Sequence, residues 1–258
     1  MPVVQIEGGR VEVDTFGAGR DLVLLHSLLA ERSAFDRVVP LLARKRRVRL
    51  VSLPGYGASS PAGPNVEDYA DRIAGLFDAL EFARETDVLG NGFGGFIAVA
   101  LAARHGERFR CLIAAPALAA FPEPAREPFR ILAGKVEKQG MASVLDMAVR
   151  RMFPEAFIAA HPEVVEERKR ALAKADPACF RTACLALSRL DLSAVLVGIG
   201  NRTLVMAGAL DATTPPALAR QLAAGIPGAS FLEIPGCGHC PQIENPQAFV
   251  AAVEGFLA

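Results

Sequence analysis

Asp87-Val88-Leu89-Gly90-Asn91-Gly92-Phe93-Gly94-Gly95-Phe96 is the stretch that decides the fold. Thr86 to Leu89 is a short apolar run of the kind buried on both faces of a sheet, and an apolar helical pattern follows from about Phe93 to Arg104. The glycines between them suit a sharp turn in which helix and strand approach closely. A strand that ends this way and feeds a helix is one unit of a mostly parallel sheet.

The flanking sequence repeats the alternation. Val3 to Ile6 and Val11 to Thr15 predict a leading hairpin, and Leu22 to Leu25 a buried strand. Ser33 offers an N-cap, with Asp36 three residues on, for a helix through Leu42. Val48 to Leu53 is the next strand, closed by Pro54, Gly55, Tyr56 and Gly57. Asn65 caps a helix whose Val66, Tyr69, Ile73, Leu76, Phe77 and Leu80 fall at helical spacing, and Arg110 to Ala115 is a further strand. From Phe121 to Leu190 the chain reads as helices broken at Pro128, Gly140, Pro154, Pro162 and Pro177. Strands resume at Arg202 to Ala207 and Ser230 to Ile234, with helices begun by Thr214-Pro215 and Asn245-Pro246. The expected fold is α/β: a mostly parallel sheet, helices on both faces, and a helical lid insertion. Residues 1–120 form the first part of the core, 121–190 the lid and 191–258 the second part.

Composition narrows the function. The 258 residues amount to roughly 1.7 average domains. At 52% hydrophobic the chain has the apolar surface that a disordered one lacks. Twenty-eight basic and 28 acidic side chains cancel, which argues against a nucleic-acid partner. The longest uncharged run, Val88 to Ala103, is glycine-interrupted and shorter than the ~18–20 residues that span a bilayer. Met1 to Arg10 shows no apolar leader segment. Five scattered cysteines (Cys111, Cys179, Cys184, Cys237, Cys240) suit reduced thiols. A cytoplasmic protein with no membrane partner is the expectation.

In its strand–turn–helix setting, Gly90-Asn91-Gly92-Phe93-Gly94 resembles the nucleophile elbow, G-x-S-x-G, of the α/β-hydrolase family. The resemblance covers nearly the whole chain. Two downstream loops match the family's order of nucleophile, acid and histidine. Met206-Ala207-Gly208-Ala209-Leu210-Asp211 resembles the strand end that presents the acid, and Gly236-Cys237-Gly238-His239-Cys240-Pro241 the loop that presents the histidine. The resemblance implies that Asp211 orients His239, and that His239 faces the nucleophile position. Leu24-Leu25-His26-Ser27-Leu28 resembles the family's H-G-x oxyanion turn, with Ser27 in place of glycine. The backbone N–H groups of Leu28 and Phe93 would then form the oxyanion hole. His26 reads as a packing and hydrogen-bonding residue of that turn. An ester, lactone, amide or C–C substrate with a reacting carbonyl is implied, and no cofactor. Asn91 before the nucleophile position occurs in some C–C hydrolases, in which an aromatic often follows the histidine; here Cys240 does.

Other readings of the same residues are weaker. Gly90-Asn91-Gly92-Phe93-Gly94-Gly95 falls one residue short of the dinucleotide-binding spacing and lies on a late strand. Cys237-Gly238-His239-Cys240 spells a redox motif but precedes proline in the histidine loop of another fold. His26, His105 and His161 lack ligand spacing, so no metal site is expected. Arg150 and Arg151 in the lid suit either a solvated helix face or the carboxylate of a substrate.

Gly92 stands where the family has its serine and offers no hydroxyl. Three readings follow. A serine was replaced in an otherwise intact and now inactivated site, which is what the surrounding motifs favour. Alternatively, the chain is naturally serine-less, and His239 with Asp211 acts as a base on water or on a substrate proton. Or the pocket binds a small molecule without chemistry.

Overall fold

The computed structural model describes residues 2–258; Met1, the first residue of the N-terminal stretch read above, lies outside the described residues. The strands are β1 Val3–Ile6, β2 Gly9–Phe16, β3 Asp21–Leu25, β4 Arg47–Val51, β5 Asp87–Gly90, β6 Cys111–Ala114, β7 Arg202–Gly208 and β8 Ser230–Ile234. They form one sheet in the order β1-β2-β4-β3-β5-β6-β7-β8. The β1–β2 and β2–β4 pairs are antiparallel, and every pair from β4–β3 to β7–β8 is parallel. The mostly parallel α/β sheet expected from the sequence is therefore present. Parallel strands carry their C-terminal loops to one edge, so the turns after β3, β5, β7 and β8 gather there.

The helices are α1 Val39–Leu42, α2 Val66–Ala79, α3 Phe93–His105, α4 Glu123–Gln139, α5 Leu145–Met152, α6 Glu155–Ala160, α7 Pro162–Leu172, α8 Pro177–Ser188, α9 Pro216–Gly225, α10 Pro241–Glu244 and α11 Pro246–Leu257. Alternation along the strands sorts the core into two layers. Val23, Leu25, Val88 and Leu112 join the core built around α2, α3 and the inserted helices. Leu22, Leu24, Leu89 and Ile113 face the opposite way, against Phe35, Leu42, Phe249 and Val253. Helices α4 to α8 stand between β6 and β7, and an antiparallel bridge from Ala120 to Asp191 joins the two chain segments at their base.

Three local expectations change. The helix expected from Ser33 to Leu42 is a 3-10 turn, Arg32–Phe35, followed by α1. The turn is capped by Glu31, whose carboxylate accepts the Ser33 N–H at 3.1 Å. Pro40 has no N–H to give the Asp36 carbonyl, which splits the segment. Pro128 does not break its helix: α4 continues through it, forgoing one bond to the Pro124 carbonyl. The sequence reading also lacked α10, whose four residues follow the histidine loop directly.

Candidate active site

Residue 92 sits between β5 and α3 with φ 53° and ψ −116°, a left-handed conformation that costs glycine little and strains any L side chain. The turn is fixed by its own backbone. Asn91 N–H donates to the Leu25 carbonyl (2.9 Å), Gly92 N–H to Pro116 (3.1 Å) and Gly94 N–H to His26 (2.9 Å). These bonds tie the elbow to β3 and the turn after it, and to the segment after β6.

That second turn is held equally firmly. His26 is fully buried; its Nε2 accepts the Leu53 N–H at 3.0 Å, so its Nδ1 carries the proton and donates to the Ser27 carbonyl at 3.0 Å. Burial lowers the His26 pKa, in keeping with this neutral form. Tyr56 donates its hydroxyl to the Leu28 carbonyl at 2.8 Å and meets the His26 ring edge-on. Ser27 replaces a glycine of the resembling motif without backbone strain. Among the described residues Glu81 is the one non-glycine with positive φ. Neither the Leu28 nor the Phe93 N–H has a hydrogen-bond partner among the described residues.

Asp211 and His239, twenty-eight positions apart in sequence, meet at 2.9 Å between Oδ2 and Nδ1, both buried. Asp211 Oδ1 accepts the N–H groups of Thr213 (2.7 Å) and Thr214 (2.9 Å), and Oδ2 also accepts the Thr214 hydroxyl. Burial pushes the Asp211 carboxyl up, but the His239 charge and these donors outweigh it and hold the group below its ordinary range. The pair thus has a committed acceptor, and Nδ1 of His239 is the donor. His239 Nε2 has no partner among the described residues. It faces residue 92: a Cβ built there would lie 2.8 Å from it.

Four further residues place the histidine, none of them assigned this role from sequence. Asn91 Nδ2 donates to the His239 carbonyl (3.1 Å) and to Ala115 (2.7 Å), and its Oδ1 accepts from Gln242 Nε2 (3.0 Å). Asn91 therefore locks the elbow to the histidine loop. Thr214 bridges the pair through its hydroxyl, 3.1 Å from His239 Nδ1. Glu244, at the end of α10, accepts the N–H groups on either side of the histidine, Gly238 at 2.7 Å and Cys240 at 3.0 Å. A carboxylate near the start of a proline-initiated helix was visible in the sequence, but nothing local pointed it back at the loop. The inserted helices contribute too: at the end of α5 the Met152 carbonyl accepts the His239 N–H at 3.1 Å, and the Arg151 carbonyl the Thr213 hydroxyl at 2.8 Å.

Burial drives the Glu244 pKa up to about 7, against the lowering pull of its two backbone donors. From about pH 4.5 to about pH 7 the unfolded chain releases this proton while the folded chain keeps it, so the contribution to stability falls as pH rises. Melting temperatures across that window should fall more steeply for the unaltered chain than for Glu244→Gln. Parallel profiles would show that Glu244 titrates as a solvated carboxylate does.

Cys237 and Cys240 are buried free thiols. Burial raises the pKa of both, Cys237 to about 11. A reactive redox thiol needs the opposite shift.

The cavity over His239 is small, about 20 Å³, enough for one water centre. Phe96, Phe121, Phe129 and Leu187 supply its apolar wall, and Ser27 and Arg151 its polar edge. A larger cleft of about 740 Å³, edged by Glu12, Glu31 and Glu167, shares no residue with it and contains neither Asp211 nor His239. The two arginines in the last turn of α5 part company. Arg150 is exposed and paired with Glu155 at 3.1 Å. Arg151 turns inward, with its guanidinium carbon 4.9 Å from the centre of the Phe129 ring and its buried Nε without a hydrogen-bond partner among the described residues. Among the described residues no helix is long and apolar enough to cross a membrane.

The family model described as "Alpha/beta hydrolase family" matches residues 22–253. The chain is 32% identical to a pimeloyl-[acyl-carrier protein] methyl ester esterase of Chromobacterium violaceum, over 95% of this chain and 97% of that one. It is 31% identical to 3-oxoadipate enol-lactonase 2 of Acinetobacter baylyi, over 92% and 88% respectively. The crystal structure of the enol-lactonase from Burkholderia xenovorans superposes with a TM-score of 0.93 at 29% identity, covering 99% of both chains. With its sheet order, its elbow turn and this similarity along nearly its full length, the chain belongs to the alpha/beta hydrolase family.

Proposed function

We propose that this protein hydrolyses a small ester or lactone bearing an anionic tail, with His239 as general base. One observation carries the reading: His239 is fixed through Nδ1 by Asp211, and its unpartnered Nε2 faces the place where a reacting carbonyl would bind. The unpartnered N–H groups of Leu28 and Phe93 would receive the oxyanion, the second of them from the N-terminus of α3. The similarity to ester- and lactone-cleaving relatives supports the same substrate class.

A serine at residue 92 would complete a Ser-His-Asp triad, and its replacement by Gly92 removes that hydroxyl. The remaining pair can still take a proton from water or from another hydroxyl. Gly92 is also what favours a second reading, a pocket that binds a carbonyl compound without cleaving it.

Arg151 supports the anionic tail. A guanidinium with a buried, unpaired Nε–H, at the edge of an apolar cavity, gains most from a carboxylate that completes its bonding. The test is turnover of matched lactones and esters, one of each pair carrying a carboxylate. Arg151→Met should raise KM about 10- to 100-fold for the anionic member and leave the neutral one nearly unchanged, as expected for losing a charged hydrogen bond. Equal effects on both members would remove the anionic tail from the reading. Tight binding of the lactone with no product from any pair would favour the binding pocket.

A further inference from the structure

We infer that Ser27 supplies the nucleophilic hydroxyl that residue 92 lacks. The inference rests on the hydrolase reading above and adds the group that attacks. A Cβ built on Gly92 would lie 2.4 Å from Ser27 Oγ and 2.8 Å from His239 Nε2, so the two atoms converge on the spot beside residue 92. Ser27 is 2% exposed and borders the cavity. Its hydroxyl has no hydrogen-bond partner among the described residues, and neither has the His239 Nε2 it adjoins. An unpaired hydroxyl that borders the cavity is available to a group that enters it. Both atoms thus lie within 2.8 Å of one point, and the turn that carries Ser27 is anchored by His26, Tyr56 and the bond from Gly94 to His26.

The chemistry balances with the groups in place. Ser27 Oγ bonds to the substrate carbonyl carbon, its proton passes to His239 Nε2, and the carbonyl electron pair moves onto oxygen. The Leu28 and Phe93 N–H groups, each on the residue that follows one of the two facing positions, 27 and 92, would receive that oxygen. As the oxyanion collapses, the bond to the alkoxy group breaks and His239 returns the proton to the leaving oxygen. Water then attacks the Ser27 ester, gives a proton to His239, and frees the acid and the serine hydroxyl. Asp211 remains ionised throughout.

A fluorophosphonate probe tests this on the intact chain. Trypsin releases Asp21–Arg32, in which Ser27 is the one serine, and Glu85–Arg104, which has none. The expected result is one adduct on Asp21–Arg32, absent in Ser27→Ala and in His239→Ala. In the paired variant Ser27→Gly with Gly92→Ser, the adduct should move to Glu85–Arg104, a gain that a misfolded protein cannot produce. Ester turnover by Ser27→Ala should fall about 10²-fold or more, while Ser27→Cys should be trapped as a thioester during turnover. No adduct on the unaltered chain, or an adduct that persists in Ser27→Ala, overturns the inference. Turnover that survives Ser27→Ala but is lost in His239→Ala would assign the attack to water and leave the hydrolase reading standing. Turnover that survives both variants would remove both.

Discussion

Asp211→Asn should lower kcat for ester or lactone hydrolysis on the order of 10⁴-fold while leaving the fold intact. The reason lies in which atoms Asp211 has already committed. Its Oδ1 accepts two backbone N–H groups, from Thr213 and Thr214, and only an oxygen can do so. The asparagine amide must therefore keep its oxygen there and turn its NH₂ toward His239. A donor facing Nδ1 forces that nitrogen to accept, which moves the imidazole proton onto Nε2. The nitrogen that should take a proton from the attacking group then already holds one. His239→Ala removes the base itself, with an expected loss of about 10⁴-fold or more. Both are read from initial rates, with circular dichroism to confirm folding. An Asp211→Asn protein that keeps more than a tenth of the activity would exclude the pair from the chemistry.

Gly94→Ala should destabilise the protein by more than about 4 kcal/mol, or prevent folding altogether. A Cβ at this position would stand 2.2 Å from the Leu25 carbonyl oxygen, 2.4 Å from its carbon and 2.7 Å from the His26 oxygen. These are backbone atoms of a central strand and of the turn that follows it, so no rotamer change relieves the overlap. The same contact brings residue 92 beside Ser27, because Gly94 N–H donates to His26. Gly134→Ala in α4 is the control: its Cβ meets nothing within 4 Å, and a stabilisation of roughly 0.5–1 kcal/mol is expected from helix propensity. Urea unfolding measures both. A Gly94→Ala midpoint near that of the unaltered chain would mean that strand and helix can separate there at little cost.

Much of this was legible from local pattern. Buried strands read as continuous apolar runs, as in Leu22 to Leu25, and α2 and α3 as helical apolar spacing after a cap or a glycine turn. Proline placement gave several helix starts: Pro162, Pro177 and Pro246 each open one. It misled at Pro128, where a helix already under way tolerates one lost bond; at Pro40 the helix pattern after Ser33 misled instead, because a short segment does not tolerate that loss.

What the sequence determined by itself is the α/β architecture and the order elbow, Asp211, His239, because strand period, turn glycines and caps act over a few residues. Only the tertiary structure decided what those residues meet. Ser27 stands beside Gly92, Asn91 reaches Gln242, Glu244 holds the histidine loop, and Arg151 points inward while its neighbour Arg150 does not. These contacts join side chains from separate βα loops and an inserted helix. No short-range periodicity encodes such a meeting. The parallel sheet creates it by carrying every loop to the same edge, and packing then fixes which atoms face one another.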